Sequence, residues 1–201
     1  MQVNSGQVFN YKQFILWLTE LVQNGKTSGS IQSASLVEFT ALNLKRMERL
    51  NKTIELDPLL LNAVEQIHLP QKWTVLTEAW CGDSAQTLPL IARLENASNG
   101  NIKLQIVLRD EQPELMDGNL TDMSRSIPIL ISHDSVNNKL FRWGPRPKPA
   151  QDLLINWKRF PGGKTWNDFE KELHTWYAKD KTRTIQNEFL ELIKNVNSRY
   201  T

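Results

Sequence analysis

The chain has 201 residues, 40% of them hydrophobic and 23% charged, the ordinary balance of a soluble globular protein with room for a sizeable core. Its 24 basic and 22 acidic residues leave a formal charge of +2 spread along the chain, which argues against nucleic acid or an anionic membrane surface as partner. One cysteine excludes an internal disulfide, no apolar run nears the roughly 20 residues that span a bilayer, and the first residues lack the pattern of a secretory signal, so a cytoplasmic location is expected.

The first third reads as helices. "NYKQFILWLTELVQ" places Phe14, Trp17, Leu18 and Leu21 at helical spacing, and the stretch from Gly25 to Ser30 ends it. "SASLVEFTALNLKRMERLNK" carries Leu36, Phe39, Leu44, Met47 and Leu50 on one broad face. In "LDPLLLNAVEQIHLP", Asp57 is the expected N-cap and Pro58 sits in the first turn, where its missing N–H does no harm.

The middle changes character. "WTVLTEAW" is a short β-rich run, "GDSAQTLPLIARLENAS" a helix, "IKLQIVLRD" a second strand and "QPELMDGNL" a short helix. "SIPILISHD" and "KLFRW", joined by "SVNN", suggest a hairpin. Alternation followed by antiparallel pairing implies an α/β fold with a mixed sheet of four or five strands, expected near 73–79, 102–108, 128–133 and 139–143. After "WGPRPKP" the chain returns to helices: "AQDLLINWKRF", then, past "PGG", "TWNDFEKELHTWYAKD" and "TIQNEFLELIKNV". The expected organisation is a helical extension over 1–70, a core over 71–160 and a helical extension over 161–201, as a monomer or homodimer.

Cys81 lies where a strand runs into a helix. Unpaired N–H groups and the positive end of the helix dipole favour an anion there, so an exposed thiol would be acidified. Asp83 works against this by repelling a thiolate. The bland alternative is an inert, small buried side chain. The three histidines, His68, His133 and His174, stand on different elements without metal-ligand spacing, so no metal is expected. Of the three, only His133 is expected anywhere near Cys81. No phosphate loop or dinucleotide fingerprint is present.

"WCGDS" resembles the Trp-Cys-Gly-Pro-Cys active site of thioredoxins, and further landmarks follow in order. Pro89 stands five residues after Ser84, where thioredoxins carry the proline of the active-site helix. Ile127-Pro128 matches their Ile-Pro facing the thiol, and Gly144 follows that proline by sixteen residues, as in thioredoxins. The combination of "AWCGDSAQ", "LRDEQPELM", "RSIP" and "WGPRP" is similar to a little-characterised bacterial branch of thioredoxin-like proteins with one active-site cysteine.

The resemblance implies a thioredoxin-like fold, with Cys81 as nucleophile and Trp80, Gly82, Asp83 and Pro89 supporting it. It also implies a cis peptide bond before Pro128 and a substrate groove beside the thiol. Arg125, Ile127 and Gly144 are expected around that groove, Arg125 meeting an acidic ligand group or else Asp122 or solvent. The three prolines of "WGPRPKP" read either as a rigid connection into the next helix or as a turn that puts Trp143 and Arg146 at the groove rim.

Two departures matter. Ser84 replaces the resolving cysteine, so a two-thiol cycle is closed to this chain alone. Val75 replaces the buried aspartate that assists proton transfer in thioredoxins.

Three functions are compatible with these residues. The first is a monothiol oxidoreductase working through Cys81 on a protein or small-molecule disulfide. It needs no bound cofactor, and a low-molecular-weight thiol would resolve the mixed disulfide. The second is a redox-silent module that binds an extended peptide in the cis-proline groove. The third, ranked last, is glutaredoxin-like iron–sulfur and glutathione binding; "CGDS" is similar to Cys-Gly-Phe-Ser, but Asp83 stands in place of the aromatic residue.

Overall fold

In a computed structural model, residues 6–200 are described. Five strands form one sheet in the order β1 (Val8–Phe9), β3 (Ile102–Leu108), β2 (Gln71–Thr77), β4 (Ile129–Asp134), β5 (Lys139–Trp143). β2 pairs in parallel with β3 and antiparallel with β4, and β5 closes the hairpin with β4. β2 is central and its last five residues are all buried, which is why it reads as a near-continuous apolar run rather than an alternation.

The helices are α1 (Tyr11–Gln23), α2 (Ala34–Thr53), α3 (Pro58–Glu65), α4 (Gly82–Ala97), α5 (Pro113–Asp117), α6 (Lys148–Arg159), α7 (Trp166–Asp180) and α8 (Arg183–Asn197). Their starts follow the expected chemistry: Asn10 and Thr165 complete capping boxes, and Asp57 accepts from the Leu59 N–H with Pro58 in the first turn. The six core positions at the sheet centre, Val75, Leu76, Ile106, Val107, Ile129 and Leu130, are all fully buried.

β1 was not expected. Its two residues carry no strand signal of their own, and it exists because Val8 and Phe9 pair with Val107 and Ile106 at the otherwise open edge of β3.

β2 is joined through α4 to β3 on one side, and the chain later returns to β4 on the other. The carboxyl end of β2 is therefore a switch point where neighbouring connections diverge, and such points leave a crevice. Cys81 stands there. The larger apolar cluster runs through Phe14, Leu44, Trp73, Val75, Leu88, Phe169 and Phe189, joining both helical extensions to one face of the sheet. Cys81 belongs to a smaller cluster on the other face, with Leu76, Leu115, Met116, Ile127 and Ile129.

Candidate functional site

Cys81 is the N-cap of α4, in extended conformation, and its side chain makes no capping bond. The turn before it is clamped from α2 and the loop that precedes α2. The Ala79 N–H donates to Ser28 Oγ at 2.9 Å, and Asn43 Nδ2 donates to the Ala79 carbonyl at 3.1 Å. Both clamps are buried. They satisfy backbone groups that a turn at this depth would otherwise leave unpaired.

The sulfur itself is covered. Cys81 is only 6% exposed, and Sγ donates to the Ile127 carbonyl at 3.4 Å. The Ile127–Pro128 bond is cis, and both residues are buried beside the thiol. Burial pushes the Cys81 thiol up to about 11, and Asp83 pushes the same way; the Ser84 hydroxyl and N–H, with Arg146, pull it down without prevailing. The sequence argument for an acidified thiol holds only for an exposed sulfur, and this one is enclosed. The helix end is where it was expected, but desolvation of the charged form outweighs N–H donation once the sulfur is enclosed.

Asp83 and Arg146 form an ion pair at 2.6 Å, and the Tyr177 hydroxyl donates to the other Asp83 oxygen at 2.8 Å. Burial pushes the Asp83 carboxyl up against the pull of Arg146 and Tyr177. Arg146, expected at the groove rim, lines the cavity, with its side chain only 11% exposed and turned onto Asp83.

Ser84 is fully buried and accepts from Thr77 Oγ1 at 2.6 Å. Pro89 is buried inside α4. Gly82 lies beneath α7: a Cβ there would stand 2.9 Å from His174 Nε2.

A cavity of about 500 Å³ opens over this group, with Cys81, Asp83 and Arg146 in its lining. One wall is Trp80, with the Arg109 guanidinium 4.9 Å from its ring centre, and another is the segment 124–127. Phe39 of α2 and Trp166 and His174 of α7 form the far side. Arg125 lines the cavity, but it pairs bidentately with Asp117 at 2.6 and 2.7 Å, not with Asp122, whose backbone lies in the turn that follows. Among the described residues, no group of three or more His, Cys, Asp or Glu could hold a metal.

Trp143 does not reach this cavity. It is 5% exposed and lies on the opposite face of the sheet, its ring 5.2 Å from Phe189 and its Nε1 donating to Glu188. Alternation along β5 sends it there, to the face that Phe141 and Trp73 share. Gly144 lies against the Pro128 carbonyl, not in the cavity lining. His133 sits on β4 opposite Lys72, outside the cavity, whereas His174 is the histidine in it.

Sequence reasoning also missed Tyr177, Trp166, Phe39 and Arg109. Trp166 and Tyr177 lie on α7, and nothing local to that helix shows that it would reach the start of α4 at Gly82 and Asp83.

The family model described as thioredoxin matches residues 29–158. A crystal structure of an HIV epitope-scaffold is similar at 20% identity and a TM-score of 0.56, over 88% of this chain and 96% of its own. A protein of unknown function from Pseudomonas aeruginosa is similar at 19% identity and a TM-score of 0.56, over 92% and 98%. Likeness at these identities concerns the fold alone. No curated protein matches the chain.

Proposed function

The chain belongs to the thioredoxin family, and from that premise we propose that it is a single-cysteine member that binds an extended peptide segment in the cleft over Cys81, with the thiol held protonated and latent. The observation that carries this reading is the sulfur's engagement: Cys81 is enclosed, donates to the Ile127 carbonyl, and has its thiol pushed up to about 11. A nucleophile at neutral pH needs thiolate, and this site disfavours it. A bound segment would lie along residues 124–127, which precede β4 and border the cavity, with Trp80 and Phe39 available to apolar side chains.

Monothiol exchange is the second reading. The observation in its favour is that Cys81 still lines the cavity, with Ser84 N–H and hydroxyl directed at its sulfur. In that reaction the thiolate attacks a disulfide, a Cys81–S–R bond forms as the R–S–S–R bond breaks, and RS⁻ leaves. An external thiol must then release the adduct, because the Ser84 hydroxyl does not resolve it.

Alkylation by iodoacetamide, followed against pH on the folded protein, separates the two. The latent-thiol reading expects slow reaction at neutral pH and a midpoint near 11. A midpoint at or below the roughly 8.5 of free cysteine would place exchange first.

A further inference from the structure

Two prospective anions stand two residues apart over one cation. Cys81, Asp83 and Arg146 line the same cavity, and the Arg146 charge acts on the sulfur as well as on the carboxylate it pairs with. The guanidinium is committed to Asp83 at 2.6 Å, and Tyr177 fixes the same carboxylate at 2.8 Å from α7. We propose that Asp83 is a positioning residue that withholds Arg146 from Cys81 and so keeps the thiol latent; with Asp83 neutral, Arg146 becomes the counter-ion of a Cys81 thiolate.

The geometry carries the inference. Arg146 is enclosed, and besides the Asp83 pair its guanidinium donates only to Gln151 Oε1, at 3.4 Å, among the described residues. Its Nε is buried with no hydrogen-bond partner, which leaves the NH groups to set its orientation. The other charged groups facing Asp83 are Arg46 on α2 and Glu170 on α7; His174, also on α7, faces the helix start. Arg46 donates to Asn43 at 2.9 Å and does not contact the carboxylate by a hydrogen bond or ion pair. Arg146 is thus the only cation within ion-pair distance of Asp83 among the described residues. A buried carboxylate loses more than a surface one when its cation leaves, so the pair holds until Asp83 is removed or neutralised.

The inference rests on the latent-thiol reading and is tested apart from it. In the alkylation used as probe, the thiol gives its proton to water, an S–C bond forms as the C–I bond breaks, and iodide leaves; nothing is oxidised or reduced. The wild-type midpoint tests the reading, and the change on substitution tests this inference. Asp83→Asn is expected to lower the midpoint by at least about one unit, which is about tenfold more thiolate at neutral pH. Asp83→Asn combined with Arg146→Gln is expected to reverse at least half of that shift.

A faster rate at every pH with an unmoved midpoint would mean that the cleft had merely opened, and would overturn the inference. So would a lowered midpoint that persists in the double variant, because Arg146 would then have no part in it. Should Asp83→Asn not fold, Asp83→Ser, which keeps a group able to bond helix N–H donors, is measured with the same two expectations.

Discussion

At Gly144 the chain leaves β5 at φ +111, and a Cβ there would stand 2.2 Å from the Pro128 carbonyl oxygen. That contact is with backbone, so no rotamer change relieves it, and the positive φ adds strain of its own. Gly144→Ala should cost about 3 kcal/mol or more, read as a lowered denaturant midpoint. It should also raise Cys81 alkylation, because the 127–128 segment that covers the sulfur must shift. A variant of wild-type stability would show that the approach of β5 to this segment is looser than the structure has it. The need for glycine was legible from its place sixteen residues after Pro128, but its cause, a strand end lying on the residue that faces the thiol, is a tertiary contact. Arg146 and Trp143 teach the same lesson with opposite results. Both are near Gly144 in sequence and both were expected at the groove, yet only Arg146 points to it.

Among the elements, α7 decides the character of the site. Thr165 caps it, and Phe169, Leu173 and Tyr177 are its buried residues. Its polar contributions are less visible: Tyr177 holds Asp83, and His174 sits against Gly82 with Nδ1 3.2 Å from Gln86 Nε2. Burial, then Arg46 and Arg146, lower His174 to about 3, so it is neutral in the folded protein.

In the unfolded chain the same histidine titrates near its ordinary value of 6.5. Between those values the unfolded state binds the extra proton, and stability falls as pH falls from 6.5 towards 3. The slope approaches about 1.4 kcal/mol per pH unit. Denaturant melts between pH 7 and 4.5 should therefore show a steeper loss for wild type than for His174→Gln. Parallel curves would mean that His174 takes up its proton without leaving α4. α4 itself was readable from "CGDSAQTLP" because its start, its proline and its cysteine are local features; the roof over it is not.

Across the molecule, the terminal helices and the sheet share one core. Phe189 of α8 is fully buried and lies 5.7 Å from Trp73 at the sheet centre and 5.2 Å from Trp143. Gln186 of the same helix accepts from the Asp57 N–H and donates to the Glu55 carbonyl, tying α8 to the start of α3. Phe189→Ala should cost about 3–5 kcal/mol, and a chain ending at residue 160 should lose its cooperative thermal transition. A sharp transition in the shortened chain would show that the sheet and its first helices stand alone. Among the described residues no helix is long and apolar enough to cross a membrane.

The sequence by itself determined four of the five strands, the helices, their order and the place of Cys81 at a helix start. These depend on periodicity, capping and turn chemistry, which act over a few residues. Only the tertiary structure decided whether that helix start would expose its sulfur. Burial is a property of what packs around a residue, and around Cys81 that is Leu115 and Met116 of α5 and the segment Ile127–Pro128, more than 30 residues further along the chain, with α2 and α7 closing the far side of the cavity. Desolvation and the competition of Asp83 for Arg146 then set the thiol's chemistry against the helix dipole, and neither is written in the residues next to it.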